Sequence, residues 1–161
     1  MSGKAAVAPG VIDMLKEDHE KVKRLFEEFE SAEGKAQADI AATAIMELEV
    51  HADLEETLIY PAIREAIDED EQMNEAVEEH HLVHVLIKEV KKLAPKDDAF
   101  QAKFTVLGEL LKHHIEEEEG EMFPMAQESK LDWAALETAV MKRKETLVNK
   151  FTRGKKPVAK A

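Results

Sequence analysis

The chain has 161 residues, 44% of them hydrophobic, enough for one domain with a full apolar core, and it carries 35 acidic against 22 basic residues, a net charge of −13. It has no cysteine, which excludes disulfides, thiolate catalysis, iron–sulfur clusters and thiolate metal sites together, so any metal must be held by nitrogen and oxygen. No apolar run approaches the ~20 residues of a membrane span and the opening residues lack a long apolar signal core, so a cytoplasmic protein is the expectation.

The charge is uneven. Residues 141–161 hold eight Lys or Arg and one Glu, a net +7, which leaves 14 basic against 34 acidic and −20 for residues 1–140. An acidic body argues against nucleic-acid binding through the bundle and suits the attraction of cations. The basic end is a separate question: membrane phosphates, nucleic acid, the chain's own acidic body or plain solvent could each satisfy it.

In chain order, residues 1–9 read as a disordered N-terminus. Ile12, Leu15, His19, Val22, Phe26 and Phe29 then alternate by three and four, the seam of a bundle helix that ends near Gly34. A second helix is expected from about Gln37 to Asp68, with Ala41, Ala44, Leu48, His51, Glu55, Leu58 and Ala62 on its inner face and a kink at Pro61. A third, about Glu71 to Leu93, stops before Pro95 and presents Met73, Val77, His80, His84 and Ile87 on one face. A fourth, roughly Asp98 to Glu128, carries Phe100, Phe104, Leu107, Leu111, His114 and Glu118. Asp132 is placed to cap a fifth, short helix. The organisation predicted is all-α: an up-down-up-down four-helix bundle over residues 10–130, an additional C-terminal helix over 131–150, and a basic flexible tail over 151–161.

One segment occurs twice: His51-Ala-Asp-Leu-Glu55-Glu56-Thr-Leu-Ile-Tyr60-Pro61 and His114-Ile-Glu-Glu-Glu118-Glu119-Gly-Glu-Met-Phe123-Pro124. His and Glu four apart project from one helix face and can grip one ion together. Counted from a turn near residue 35, His19 and His51 both lie about 24 Å along neighbouring antiparallel helices, so they meet. His80/His84, His51/Glu55 and His114/Glu118 fall at comparable depths. A lone histidine on an apolar seam is usually a core residue with a hydrogen-bond partner. Seven polar groups at one level are another matter, because each costs a few kcal/mol if unpaired while a domain has only about 5–15 kcal/mol to lose. Metal is the economical partner, and the expected ligands are His19, His51, Glu55, His80, His84, His114 and Glu118. With both Glu bridging two ions, these give five nitrogen and four oxygen bonds. A shared oxo or hydroxo adds two, and two octahedra then keep one open position for a small molecule.

His81 and His113 adjoin these ligands, and a register shift would bring in His113 with Glu117. His114 is preferred because Phe104, Leu107 and Leu111 share its face. His80 is preferred because Glu17-Asp18-His19-Glu20 aligns on Glu78-Glu79-His80-His81. Glu56 and Glu119, equivalent in the repeat, read as solvated residues, as acceptors behind the ligands or as occasional ligands. Tyr60 and Phe123 read as packing caps. The paired Glu-x-x-His motif of ferritin-type sites, His-Glu-x-x-His, Gly-rich phosphate loops and nucleophile elbows are all missing.

Asp18-His19-Glu20, the doubled His-x-x-x-Glu-Glu-x-x-x-aromatic-Pro segment and Glu79-His80-His81 make residues 10–128 resemble hemerythrin-like proteins of the HHE cation-binding group. The resemblance implies a four-helix bundle around two Fe ions with a bridging oxo or hydroxo. One iron would take His80, His84 and His114, the other His19 and His51, with Glu55 and Glu118 bridging; O2 or a related oxidant, peroxide or NO, would bind the latter. Oxygen-carrying relatives pair the last His with an Asp five residues on, whereas Glu118 follows His114 by four. The ligand pattern does not choose between oxygen binding or sensing, an oxidoreductase that processes peroxide or NO, and an iron-homeostasis or metal-free structural bundle. It leaves metal identity and oligomeric state open as well.

Overall fold

The structure, a computed structural model, describes residues 10–154. The expected disorder of residues 1–9 and the end of the basic tail, residues 155–161, lie outside the described residues. Four long helices make the bundle: α1 (Gly10–Ser31), α2 (Gly34–Leu54), α4 (Asp70–Val90) and α5 (Asp98–Glu117). Two short helices, α3 (Tyr60–Ala66) and α6 (Phe123–Gln127), prolong α2 and α5, and α7 (Trp133–Gly154) follows. No strand occurs among the described residues.

The apolar periodicity explains which faces meet. In α1, Ile12, Leu15, His19, Val22 and Phe29 are buried at spacings of three, four and seven. The link to α2 turns at Gly34, whose φ of 58° lies in the left-handed region that glycine enters without penalty. Asp132 caps α7 as expected, its Oδ1 accepting the Ala135 N–H at 3.1 Å.

Two inner faces differ from the expected ones. Neither the second nor the fourth helix is continuous: each passes through a wide π turn, Glu55–Ile59 and Glu118–Met122, in which the Tyr60 N–H reaches Glu55 O and the Phe123 N–H reaches Glu118 O. Both turns precede a proline, Pro61 or Pro124, which lacks the N–H that an α-helical ladder needs, so the ladder widens by one residue there. The inward set slips accordingly. Beyond Glu55 the buried residues are Ile59, Tyr60 and Ile63, while Leu58 and Ala62 are only half-buried. On α4 the buried face is Met73, Ala76, His80, Val83, Ile87 and Val90. Val77 is 43% exposed, and His84 projects from the same outer flank with its side chain 45% exposed.

The core is in two parts. One cluster gathers Leu15, Leu54, Ile63, Met73 and Phe123 with Val140 of α7; the other gathers Val22, Leu48, Val83, Phe104 and Leu111 toward the opposite end. Between them lies a layer of buried His and Glu. α7 covers α1 and α2 with Leu136, Val140 and Leu147. It adds ion pairs from Arg143 Nε to Asp53 (2.5 Å) and from Lys144 to Asp18 (3.3 Å). Part of the basic C-terminal stretch therefore meets the chain's own acidic body. No helix is long and apolar enough to cross a membrane among the described residues.

Candidate metal centre

Each long helix contributes to the polar layer: His19 from α1, His51 from α2, His80 from α4 and His114 from α5, with Glu55 and Glu118 one turn after His51 and His114. All six are buried, Glu55 at 0% and Glu118 at 1% exposure. The two glutamates span the layer. Glu55 places Oε2 3.3 Å from His51 Nε2 and Oε1 3.1 Å from His80 Nε2. Glu118 places Oε2 3.3 Å from His114 Nε2 and Oε1 3.1 Å from His19 Nε2. Each carboxylate thus offers one oxygen to the His19/His51 half and one to the His80/His114 half.

The hydrogen-bond inventory shows what the cluster lacks. Every Nδ1 faces a carboxylate: His19 that of Glu119 (2.5 Å), His51 that of Asp18 (3.3 Å), His80 that of Glu56 (2.7 Å) and His114 that of Glu79 (2.5 Å). A carboxylate accepts, so Nδ1 carries the proton and the Nε2 of a neutral ring turns a bare lone pair inward. Those lone pairs meet head-on, His19 to His51 at 3.2 Å and His80 to His114 at 3.3 Å. Glu55 Oε2 and Glu118 Oε1 are buried without a hydrogen-bond partner. Four imidazole lone pairs and two carboxylates converge on one hydroxyl donor, that of Tyr60, too few protons to satisfy them, and such a surplus of acceptors suits cations.

His84, expected among the ligands, stands on the exposed flank of α4, outside the inner donors: its Nε2 meets Glu56 Oε2 at 2.7 Å, and with Glu56 and His80 it forms a separate group that could hold an ion. His113 is likewise exposed, paired with Glu117 at 3.2 Å. Glu56 and Glu119 stand behind His80 and His19 as Nδ1 acceptors. Tyr60 occupies the interior instead. Its hydroxyl donates to Glu118 Oε2 at 2.5 Å and stands 3.2 Å from Glu55 Oε1, 3.1 Å from His80 Nε2 and 3.0 Å from His114 Nε2. Five residues after Glu55 an α-helix would carry this ring away from the centre. The π turn absorbs one residue and returns it to the Glu55 face. The recurrence of aromatic-Pro at equal distance in both copies was the available signal, since proline weakens the ladder just there. Phe123, the counterpart of Tyr60, has no hydroxyl and stacks on His19 at 6.3 Å between ring centroids.

The buried histidines and carboxylates set one another's protonation. Burial alone would lower His51, but the Glu55 carboxylate and the bond to Asp18 outweigh it and hold the ring at about 10. Burial is likewise outweighed at His80, held at about 9 by Glu55 and Glu56, and at His114, held at about 11 by Glu118 and Glu79. Burial opposes ionisation of Glu55 too, yet His51 and His80 keep it well below the usual carboxylate range. Tyr60 is pushed above the ordinary phenol range by burial and by the charges of Glu118 and Glu55.

A bundle enclosing two buried His/carboxylate groups, each able to hold a metal ion, defines a class of helical cation-binding domains. The chain belongs to the hemerythrin HHE cation-binding domain family, whose profile matches residues 10–126. In fold it is similar to a hemerythrin HHE cation-binding domain-containing protein of Mycobacterium kansasii, with a TM-score of 0.75 and 22% identity over 92% of this chain and 93% of that one. Among curated proteins it is similar to a DNA nickase of Nostoc sp., 25% identical over 112 residues, 69% of this chain. It spans 32% of that relative's length.

Proposed function

We propose that the chain is a non-haem di-iron protein that binds O2 or a related small oxidant. The donors would be His19, His51, Glu55, Tyr60, His80, His114 and Glu118. The observation that carries this reading is the spacing of the donor atoms. Atoms bound at right angles about 2.1 Å from one ion stand about 3 Å apart, and the pairs within each half lie mostly at 3.0–3.3 Å. Nitrogen and oxygen donors, two of them carboxylates and one a phenol, fit iron and also manganese, zinc or cobalt.

The two halves are unequal. Tyr60, His80, His114 and one oxygen from each glutamate make five donors, while His19, His51 and the other two oxygens make four. Two six-coordinate ions held by these donors would find one fewer on the His19/His51 side, and the additional open place would be there. A pair of iron ions there would supply two electrons to one small oxidant. The chain's own part is to fix the donors through the Nδ1 carboxylates, to exclude water with the two apolar clusters and to keep one half unfilled with the phenyl ring of Phe123.

Two measurements test this. Protein expressed with iron should carry about two ions per chain, and its oxidised form should show phenolate-to-iron absorption in the visible that Tyr60→Phe removes. Fewer than about one ion per chain, or a Tyr60→Phe spectrum identical to the parent, overturns the assignment. Stoichiometric O2 added to the reduced protein should give one stable, reversible spectral change. Repeated consumption of oxidant would place the protein among peroxide- or NO-processing oxidoreductases instead.

A further inference from the structure

Any ion bound for the buried layer has to exchange its water for protein donors on the way in. Between α3 and α4 lies a cleft of about 440 Å³ whose walls include two donors of that layer, Tyr60 and His80, together with Glu56, Arg64, His81 and His84. Glu56 stands at the junction. Its Oε2 accepts from His80 Nδ1 at 2.7 Å on the inner side and meets His84 Nε2 at 2.7 Å on the outer side. We propose that Glu56 and His84 form an outer cation site, which takes a divalent first-row metal ion from solvent and passes it to the Tyr60/His80/His114 half. The passage rests on the proposed metal centre; the outer site itself does not.

The donors suit such an ion. An imidazole and a carboxylate bind Fe2+, Mn2+, Co2+ or Zn2+, and only a proton lies between the two here. An ion displaces it from His84 Nε2, and the neutral ring carries its proton on Nδ1 instead. The His84 and Glu56 side chains are 45% and 36% exposed, so water fills the remaining positions and the ion is held loosely enough to move on. Arg64, the cation of the cleft, is turned to Asp70 at 3.4 Å. Glu56 follows Glu55 within one wide turn, so the same short stretch of backbone carries the outer carboxylate and an inner one. The other carboxylates behind the histidines lack this arrangement. Asp18, behind His51, is met by Lys144 at 3.3 Å, a charge that repels a metal ion. Glu79, behind His114, forms a group with His113 and Glu117, but the groove along it is lined by none of the inner donors.

The test uses the full chain stripped of metal and mixed with Co2+, whose visible absorption reports filling of the centre. His84→Ala, at an exposed position, should slow that filling about tenfold or more, while the number of inner ions at equilibrium stays that of the parent. His113→Ala is the control and should fill at the parent rate. A second measurement needs no variant: in protein whose centre is already filled with zinc, added Mn2+ should broaden the NMR signals of the His84 ring at concentrations that leave His113 sharp. Filling of His84→Ala at the parent rate overturns the passage, and a His84 ring that stays sharp overturns the site. Loss of inner ions from His84→Ala at equilibrium overturns both, because His84 would then be a ligand of the centre itself. Fewer than about one ion per parent chain would sink the di-iron reading and the passage with it, while Mn2+ broadening centred on His84 would still support the outer site.

Discussion

Tyr60 and Phe123 hold equivalent places in the two halves of the centre and differ by one oxygen. That oxygen touches four atoms of the cluster at 2.5–3.2 Å, and on the proposed function its absence beside His19 would account for the unequal donor count. If the proposed function holds, Phe123→Tyr should supply a donor to the place it leaves open: metal content should hold while the O2 association rate falls about tenfold or more, by stopped-flow absorption. The residues behind the ligands matter in the same way. Glu79 Oε1 fixes the His114 ring at 2.5 Å, and Glu79→Gln keeps the shape while withdrawing the charge. Metal retention against a chelator should then weaken about 10–100-fold, with helicity by circular dichroism unchanged.

At the scale of elements, the π turns decide which side chains arrive at the centre. Deleting Gly120, around which a Cβ would meet nothing within 4 Å, should turn the wide turn into an α-helical one, with Phe123 then four residues after Glu118 and still on its face. Phe123 and Ala126, at 1% and 0% exposure, would stay in the core, and the melting transition should move by no more than about 1 kcal/mol, whereas a second residue inserted beside Gly120 should turn both out and cost on the order of 3–5 kcal/mol. The same turns mark the limit of what could be read from the amino-acid sequence. The four long helices, the capped fifth and the inward placement of His19, His51, Glu55, His80, His114 and Glu118 follow from three-and-four spacing, which the long helices obey. Tyr60 was passed over because counting in steps of 3.6 assumes an unbroken ladder, and Pro61 breaks it. His84 was set inside because it follows His80 by one turn. Ala76 and Val83 offer an equally periodic face, and burial of Val83 at 4% exposure against 43% for Val77 settles the choice.

For the molecule as a whole, protons and metal compete for one interior. Without metal, His51, His80 and His114 titrate at about 10, 9 and 11 instead of 6.5. Groups with raised values stabilise the fold fully below pH 6.5 and lose that contribution as pH climbs through 9 to 11. Glu55, depressed below 4.5, contributes above pH 4.5 and loses its share as pH falls through its lowered value. Metal binding has the opposite slope at neutral and alkaline pH, because it displaces the imidazole protons. The gap in Tm between loaded and chelated protein should therefore widen from pH 6.5 to pH 9. At metal 100-fold above Kd the gap corresponds to about 2.7 kcal/mol, or roughly 5–10 °C for a chain of this size, by scanning calorimetry.

The division of the core has a consequence for cooperativity. Val22, Phe29 and Phe104 gather at one end, and Ile12, Ile63 and Phe123 at the other. Among the described residues the two buried apolar clusters are separate, with the charged seam between them. A bundle built this way behaves as two drops joined by a weld, and on the proposed function bound ions would be the weld. With such ions stripped, each drop should be free to melt on its own terms, and a fold that unfolds as one unit when filled should unfold as two when emptied.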